Sequence, residues 1–385
     1  MGYSQDMSPE SKIAILHAFF RPKGGGENFT FDLRNHLHAD LYAGGIDFDI
    51  WSREKIGTDS FVTNLYNPDY RLSYLHEEST VPVWRKIKRQ LYFKYSPKIK
   101  ELNNYDVVFF SGNIAGVAGR LDKSVRKIMY CHTPPRPFTD QLETRVASLP
   151  RYKRQLYRQF ARLVRHEYRK ELEQMDLILT NSENIQRRLK EWIGLDSQVV
   201  YPPVKTNRFQ YRKTGDYFLS YGRLEDLKRM RLIVETFAAN PDKKLVICST
   251  GPLADWIQEQ IITRNLHNIT FEGLVSDERL AELVGNCLAG IYIPVEEDFG
   301  IIQCELMAAG KPVIGVQEGG LLETVIDGKT GFLIPGNPTR EDLEEALDTL
   351  TPAGAKKMRQ ACQTQAAKFD EEVFYEAIDK IIDKK

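Results

Sequence analysis

The stretch Pro294-Val295-Glu296-Glu297-Asp298-Phe299-Gly300-Ile301-Ile302-Gln303-Cys304-Glu305 concentrates the chemistry of this 385-residue chain. Glu297 and Glu305 stand eight positions apart, about two helical turns, so both carboxylates can share one helix face. A carboxylate accepts two hydrogen bonds from a vicinal diol, which is the grip a ribose or hexose needs. Phe299-Gly300 marks the helix start, where the first N–H groups have no carbonyl partner inside the helix. Upstream, Gly222-Arg223-Leu224-Glu225-Asp226-Leu227-Lys228-Arg229 carries a guanidinium and an ammonium toward the next helix. Two cations beside helix N–H groups form a diphosphate clamp; the alternative is a solvated charged turn. His132, in Cys131-His132-Thr133-Pro134-Pro135-Arg136, offers the usual proton-transfer or polarising group near neutral pH. The alternative for a lone histidine is a structural role. Gly24-Gly25-Gly26-Glu27 opens a helix, and glycines there let backbone N–H groups approach an anion. No Gly-Lys-Ser/Thr follows, which excludes a P-loop and leaves a flexible loop as the alternative.

Each of these motifs follows a short apolar run. Expected strands in the first half are 13–18, 47–50, 107–111, 128–130, 177–180 and 199–201. In the second half they are 217–221, 245–249, 269–272, 290–293, 312–316 and 332–334. Strands separated by helical stretches imply βαβ units and parallel sheets covered on both faces. Tyr201-Pro202-Pro203-Val204 and the polar run after it interrupt the alternation, so the chain reads as two doubly wound α/β domains. The expected bounds are 1–205 and 206–367, with two or three helices closing the chain from residue 339. In such sheets ligands sit beyond the carboxyl ends of the strands, which makes a cleft between the domains the natural site.

Composition narrows the functional classes. The chain has 53 basic and 53 acidic side chains, a balance that argues against a dedicated nucleic-acid binder. The balance hides an asymmetry: residues 1–200 carry a net +7 and residues 201–385 a net −7. No apolar run reaches the ~18 residues of a spanning helix, and the first ten residues lack a signal core. Five cysteines, an odd number with no CxxC pair, fit a reducing cytoplasm. Residues 151–170 hold eight basic side chains and one acidic one, with Leu156, Phe160, Leu163 and Val164 at helical spacing. Residues 84–100 are similarly basic and aromatic, and both stretches suit an anionic membrane surface or, alternatively, plain solvation.

Glu297-Asp298-Phe299-Gly300 through Glu305 resembles the E-x7-E motif of the retaining glycosyltransferases of family 4. Ala309-Gly310-Lys311-Pro312-Val313-Ile314, Gly319-Gly320-Leu321-Leu322-Glu323-Thr324-Val325, Gly328-Lys329-Thr330-Gly331, Gly222-Arg223-Leu224 with Lys228, and the Gly-Gly-Gly-Glu loop resemble the same family in order along the chain. The resemblance implies the GT-B fold: two Rossmann-like domains facing a central cleft, with a last helix (about 368–385) crossing back to the first domain. It also implies roles. Arg223 and Lys228 bind the donor diphosphate, and Glu305 holds the ribose hydroxyls. Glu297, with the backbone amides of Asp298, Phe299, Gly300 and Ile301, holds the transferred sugar. Gly25 and Gly26 close on the phosphate from the other domain, and His132 sits near the reacting sugar. Cys248-Ser249-Thr250-Gly251-Pro252 departs from the family's Gly-x-Gly-Pro turn, which bears on the nucleotide-base contacts.

A finer similarity links Tyr130–Arg136 and Val200–Val204 to bacterial O-antigen mannosyltransferases of this family. It implies GDP-mannose as donor, a glycan on a polyprenyl diphosphate as acceptor, and a cytoplasmic enzyme peripheral on the inner membrane face. No cofactor and no metal are implied: the single Asp-x-Asp, Asp47-Phe48-Asp49, falls inside an expected first-domain strand. A UDP-sugar donor remains open, as do a sugar-nucleotide epimerase and a non-catalytic sugar-nucleotide-binding protein, because fold alone does not fix function.

Overall fold

The computed structural model describes residues 11–17, 20, 25–43, 72–74, 97–112 and 116–384. These fall into two compact units, one running to Val200 and taking in the residues from Ile382 on, the other spanning Tyr201–Ile381.

The first unit holds a seven-stranded parallel sheet. Its strands are β1 (Ile13–His17), β2 (Asp40–Ala43), β3 (Leu72–Tyr74), β4 (Val107–Ser111), β5 (Arg126–Cys131), β6 (Leu177–Thr180) and β7 (Gln198–Val199), ordered β3-β2-β1-β4-β5-β6-β7. The middle strands are apolar throughout because both faces are covered: Ala14, Ile15, Leu16, Val108, Phe109 and Phe110 are fully buried. Helices α1 (Gly25–Leu37), α2 (Leu142–Ala147), α3 (Arg151–Leu172) and α4 (Glu183–Ile193) belong to this unit. The chain goes from α1 to β2 through His38, in the left-handed region at φ 49°, and Ala39. That two-residue turn lacks Gly or Pro, so periodicity does not announce β2. The expected strand 47–50 lies outside the described residues, as does Asp47-Phe48-Asp49.

The second unit repeats the plan with six parallel strands: β8 (Tyr217–Ser220), β9 (Lys244–Cys248), β10 (Ile269–Gly273), β11 (Ala289–Ile291), β12 (Val313–Val316) and β13 (Gly331–Ile334). Their order is β10-β9-β8-β11-β12-β13. Helices α5 (Met230–Ala239), α6 (Ala254–Thr263), α7 (Asp277–Asn286), α8 (Ile302–Ala308), α9 (Leu321–Thr324), α10 (Arg340–Thr349), α11 (Pro352–Ala366) and α12 (Glu371–Asp383) complete it, α12 up to Ile381. All five cysteines are buried, and none is in a disulfide.

The division falls at Val200/Tyr201, five residues before the expected bound, and the last helix groups with the second unit as far as Ile381. Core packing accounts for this. Val204 is fully buried in the second core, its N–H donates to the Phe369 carbonyl at 3.0 Å, and its own carbonyl accepts from Glu371 N at 3.0 Å. The Phe369 ring in turn packs edge-on against Tyr201 and Phe299, with centroids 5.1 and 5.4 Å away.

In each sheet the connections leave in opposite directions from two neighbouring central strands, β1/β4 and β8/β11. Such switch points open a crevice at the strands' carboxyl ends. In the second unit, helix α8 docks across β11 because Gly290 has no side chain: a Cβ there would stand 2.1 Å from Leu306 Cδ1. Leu306 is fully buried, worth about 2–3 kcal/mol, and its docking fixes Glu305 one residue earlier.

Candidate functional site

The loops after β8 and β11 build one site. After β8 the chain passes through Tyr221–Glu225 into a short 3-10 turn, Asp226–Lys228. After β11 it runs through Tyr292–Ile301 into α8. Val295 N donates to the Leu227 carbonyl at 2.7 Å, tying the two loops together. Arg229 adopts the left-handed conformation (φ 51°), and its Nη1 donates to the Ile293 and Pro294 carbonyls at 2.8 Å each. The same guanidinium pairs with Glu318 Oε1 at 2.7 Å. Arg229 is therefore the clamp that sets the path of the loop carrying Glu296 and Glu297.

Lys228 Nζ forms an ion pair with Glu297 Oε2 and donates to Tyr292 Oη at 3.1 Å. Both partners of the pair are largely buried, so the contact is screened less than a surface pair. Burial, with Glu297 beside it, raises the Tyr292 phenol well above its ordinary value, so it stays a neutral hydroxyl. Glu305 receives a hydrogen bond from Tyr221 Oη at 2.9 Å. Desolvation pushes the Glu305 carboxyl up to about 7, with the Tyr221 bond acting in the opposite direction. Arg223 is 64% exposed and its Nε lies 3.7 Å from Glu225 Oε2, a loose surface pair.

Glycines make this loop packing possible. Gly320 N donates to the Glu297 carbonyl at 2.9 Å, and a Cβ on Gly320 would stand 2.5 Å from Phe299 Cα. A Cβ on Gly319 would meet the Glu297 carbonyl oxygen at 2.4 Å. The Gly-Gly pair thus lets two backbones touch directly behind the acidic loop. Asp298, Phe299, Gly300 and Ile301 lead into α8, whose first-turn N–H groups have no helical acceptor. The Cys248–Pro252 segment keeps the glycine its packing requires: a Cβ on Gly251 would stand 2.5 Å from the Leu224 carbonyl oxygen, and Leu224 N donates to the Thr250 carbonyl at 3.1 Å.

The first unit carries its own polar centre at the β1/β4 switch point. His132 follows β5 and is partly exposed, with Phe29 edge-on at 4.8 Å and Tyr130 at 5.0 Å between ring centroids. Desolvation by burial lowers its imidazole to about 4 and keeps it neutral. A Cβ built on Gly26 would lie 3.9 Å from His132 Nε2, which brings the helix-opening glycine and the histidine together; among the described residues nothing lies within 4 Å of a Cβ built on Gly25.

Of the candidates, Lys228 with Glu297, and Gly26 with His132, are in direct proximity; Arg223 lies on the loop after β8 and Glu305 in the first turn of α8, each with a different partner. Sequence reasoning passed over Tyr221 and Tyr292 in the second unit and His17, Thr30 and Ser111 in the first. The available signal was a hydrogen-bonding side chain at the end of an apolar strand, the last position for His17 and Ser111 and the next one for Tyr221. Among the described residues no group of three or more His, Cys, Asp or Glu side chains could hold a metal ion.

Helix α3 is basic along its length and exposes Tyr152, Leu156, Phe160 and Leu163. Residues 84–96 of the other basic stretch lie outside the described residues. Among the described residues no helix is long and apolar enough to cross a membrane.

Two doubly wound units with acidic and basic side chains at the β8/β11 switch point define a glycosyltransferase of the GT-B fold. The model described as Glycosyltransferase Family 4 matches residues 23–208, and that of Glycosyl transferases group 1 matches residues 204–369. The chain belongs to glycosyltransferase family 4. It is 27% identical over 303 residues to the alpha-1,3/1,6-mannosyltransferase ALG2 of Dictyostelium discoideum, covering 66% of this chain and 69% of that one. It is 26% identical over 199 residues to the N-acetyl-alpha-D-glucosaminyl L-malate synthase of Bacillus anthracis, covering 46% of this chain and about half (51%) of the relative. The structure is similar to that of Anabaena HepE in complex with UDP and glucose, with a TM-score of 0.71 at 15% identity over 97% of this chain and 100% of that one, a likeness of fold.

Proposed function

We propose that this glycosyltransferase is a retaining hexosyltransferase that moves α-mannose from GDP-mannose to a glycan carried on a polyprenyl diphosphate, as in the assembly of a bacterial surface polysaccharide of the O-antigen type. The observation that carries the reading is the contact of Lys228 with Glu297 between the loops that leave β8 and β11, with the Tyr221–Glu305 hydrogen bond joining the first of those loops to α8. The similarity to a mannosyltransferase supports mannose as the sugar.

Arg223 and Lys228 meet the donor diphosphate, and Lys228 exchanges its bond to Glu297 for one to a phosphate oxygen. Glu297 then accepts from hydroxyls of the transferred sugar, and the backbone N–H groups of Asp298, Phe299, Gly300 and Ile301 donate to that sugar. Glu305 takes the ribose diol. Gly25 and Gly26 serve the phosphate from the first unit, and His132 serves the sugar. The bond from the anomeric carbon to the diphosphate breaks, a bond to the acceptor oxygen forms on the same face, and the acceptor's proton passes to a donor phosphate oxygen. Fixed positive charge stabilises the departing diphosphate, so the chemistry needs neither a metal nor a strong general acid. Helix α3, with exposed apolar side chains among basic ones, supports attachment to an anionic membrane surface on the cytoplasmic side, where a lipid-linked acceptor is found.

The B. anthracis relative, whose name carries an N-acetylglucosaminyl group, favours a second reading in which the sugar is not mannose, and the UDP in the HepE structure makes a UDP-sugar the donor to test. Thermal stabilisation by a panel of GDP- and UDP-sugars, followed by turnover with a synthetic lipid-linked glycan, separates the two. Transfer from GDP-mannose is expected. Transfer only from a UDP-sugar overturns the donor, and release of a 2-epimer or binding without turnover overturns the transferase reading.

A further inference from the structure

Behind His132 the first unit buries three polar side chains that its fold does not need. The β1/β4 register sets His17 opposite Ser111, and Thr30 of α1 sits against both. All three are at most 5% exposed, among fully apolar neighbours such as Leu16, Phe109 and Phe110. Burying hydroxyls and an imidazole costs free energy unless each is hydrogen-bonded, and apolar side chains would fill the same space without that cost. The contacts form a chain. Thr30 Oγ1 donates to the Gly26 carbonyl at 2.8 Å. His17 Nδ1 lies 3.0 Å from Thr30 Oγ1 and 3.2 Å from Ser111 Oγ. Ser111 Oγ lies 2.9 Å from Thr30 Oγ1 and 3.2 Å from His132 Nε2.

Each hydroxyl has one proton, which restricts the arrangement. With the Thr30 proton on the Gly26 carbonyl, the Thr30 oxygen accepts. His17 Nδ1–H then points at Thr30 and Ser111, the Ser111 proton goes to Thr30, and the 3.2 Å contact to His132 needs a proton on Nε2. This is the assignment that puts a proton on every contact. It leaves Nδ1 of His132 as the acceptor of the ring.

We infer that Ser111, anchored by Thr30 and His17, is a positioning residue that holds His132 in the Nε2–H tautomer and in one ring orientation. The inference rests on the reading of His132 as the group that serves the reacting sugar: a neutral ring with a fixed lone pair accepts from a sugar hydroxyl, whereas a ring free to change tautomer presents a donor there part of the time. The chain also reaches the first turn of α1 through Gly26, so the same hydroxyls hold His132 and the glycine loop in mutual register.

The test is imidazole nitrogen NMR on the full chain with labelled histidine, alongside steady-state transfer. Wild-type His132 is expected as a single Nε2–H tautomer at neutral pH. Ser111→Ala is expected to give a mixture of tautomers and lower kcat about 10- to 100-fold, with donor KM unchanged, and Ser111→Thr to restore both signatures. Thr30→Val, which keeps the shape but removes the acceptor of the Ser111 proton, is expected to shift the tautomer in the same direction. A wild-type Nδ1–H or charged ring overturns the inference without any variant. So does a Ser111→Ala protein with one unchanged tautomer and kcat within about twofold of wild type. His132→Ala separates the two layers: unchanged kcat there refutes the role of His132 itself, while loss of kcat there with a silent Ser111→Ala refutes only the positioning.

Discussion

Glu305 gives the account its most quantitative prediction. Its carboxyl titrates near 7 because desolvation raises it, against an ordinary value of 4.5. Holding a diol requires the ionised form, since only a carboxylate accepts two hydrogen bonds without offering a proton. If the neutral form does not grip the ribose, donor affinity follows the ionised fraction. That fraction falls about tenfold between pH 8 and pH 6 for a group titrating near 7. GDP-mannose is a suitable probe because its diphosphate is esterified at both ends and does not titrate in this range. Calorimetric titration should therefore show affinity weakening about tenfold over that interval, levelling off above pH 8. The sign for stability is opposite. A group raised in the folded state stabilises fully below its unfolded value and loses that contribution as pH rises through the folded value. The difference of about 2.5 units corresponds to about 3 kcal/mol, an upper bound because the side chain is partly exposed. Glu305→Gln should then match wild type in thermal stability near pH 4, exceed it at pH 8, and bind the donor weakly with no pH dependence. Tyr221→Phe removes the bond that opposes the upward shift, so its binding profile should move to higher pH. A wild-type affinity flat from pH 6 to 8, or a Tyr221→Phe profile moved downward, refutes the reasoning.

Other expectations follow from the same geometry. Lys228→Ala should lower kcat by about 10²–10³-fold in a transfer assay, the loss typical of removing one group that stabilises departing negative charge. Gly320→Ala forces a Cβ to within 2.5 Å of Phe299 Cα, so it should lower the melting temperature and weaken donor binding together, while Gly25→Ala, with no described contact within 4 Å of the new Cβ, should change neither the melting temperature nor the fold by circular dichroism. Glu171 accepts from Val117 N and Ala118 N at 2.8 and 2.7 Å while buried, so Glu171→Ala should cost about 2–4 kcal/mol in denaturant unfolding. Phe160→Asp on α3 should reduce binding to anionic vesicles in a flotation assay and leave transfer to a soluble acceptor intact.

Much of this site is legible from the chain because its parts sit at strand ends. Val107–Ser111 and Leu177–Thr180 are expected and observed with the same bounds, and most other strands differ by one or two residues. Glu297, Glu305, Arg223 and Lys228 stand out since charged residues after an apolar run have few structural reasons to be there. What sequence could not supply is pairing. Nothing in the spacing of Tyr221 and Glu305, 84 residues apart, says that they share a hydrogen bond, because that depends on β8 and β11 being neighbours in the sheet. The same holds for His17 with Ser111, which meet only through the β1/β4 register. Arg229 reads as one more charge in a basic turn until its three carbonyl acceptors are seen. The early unit boundary was hidden for a related reason: the prolines at 202 and 203 signal a break, but only the packing of Val204 beside Phe369 shows which core the segment after them joins.

The proposed reaction transfers a mannosyl residue with its anomeric configuration kept. Proton NMR of the first product formed from GDP-mannose and a lipid-linked glycan reads this directly. An α-linked mannosyl product is expected, with one GDP released per bond formed, without added metal. A β-linked product, or GDP released with free mannose and no glycosidic bond, would contradict it.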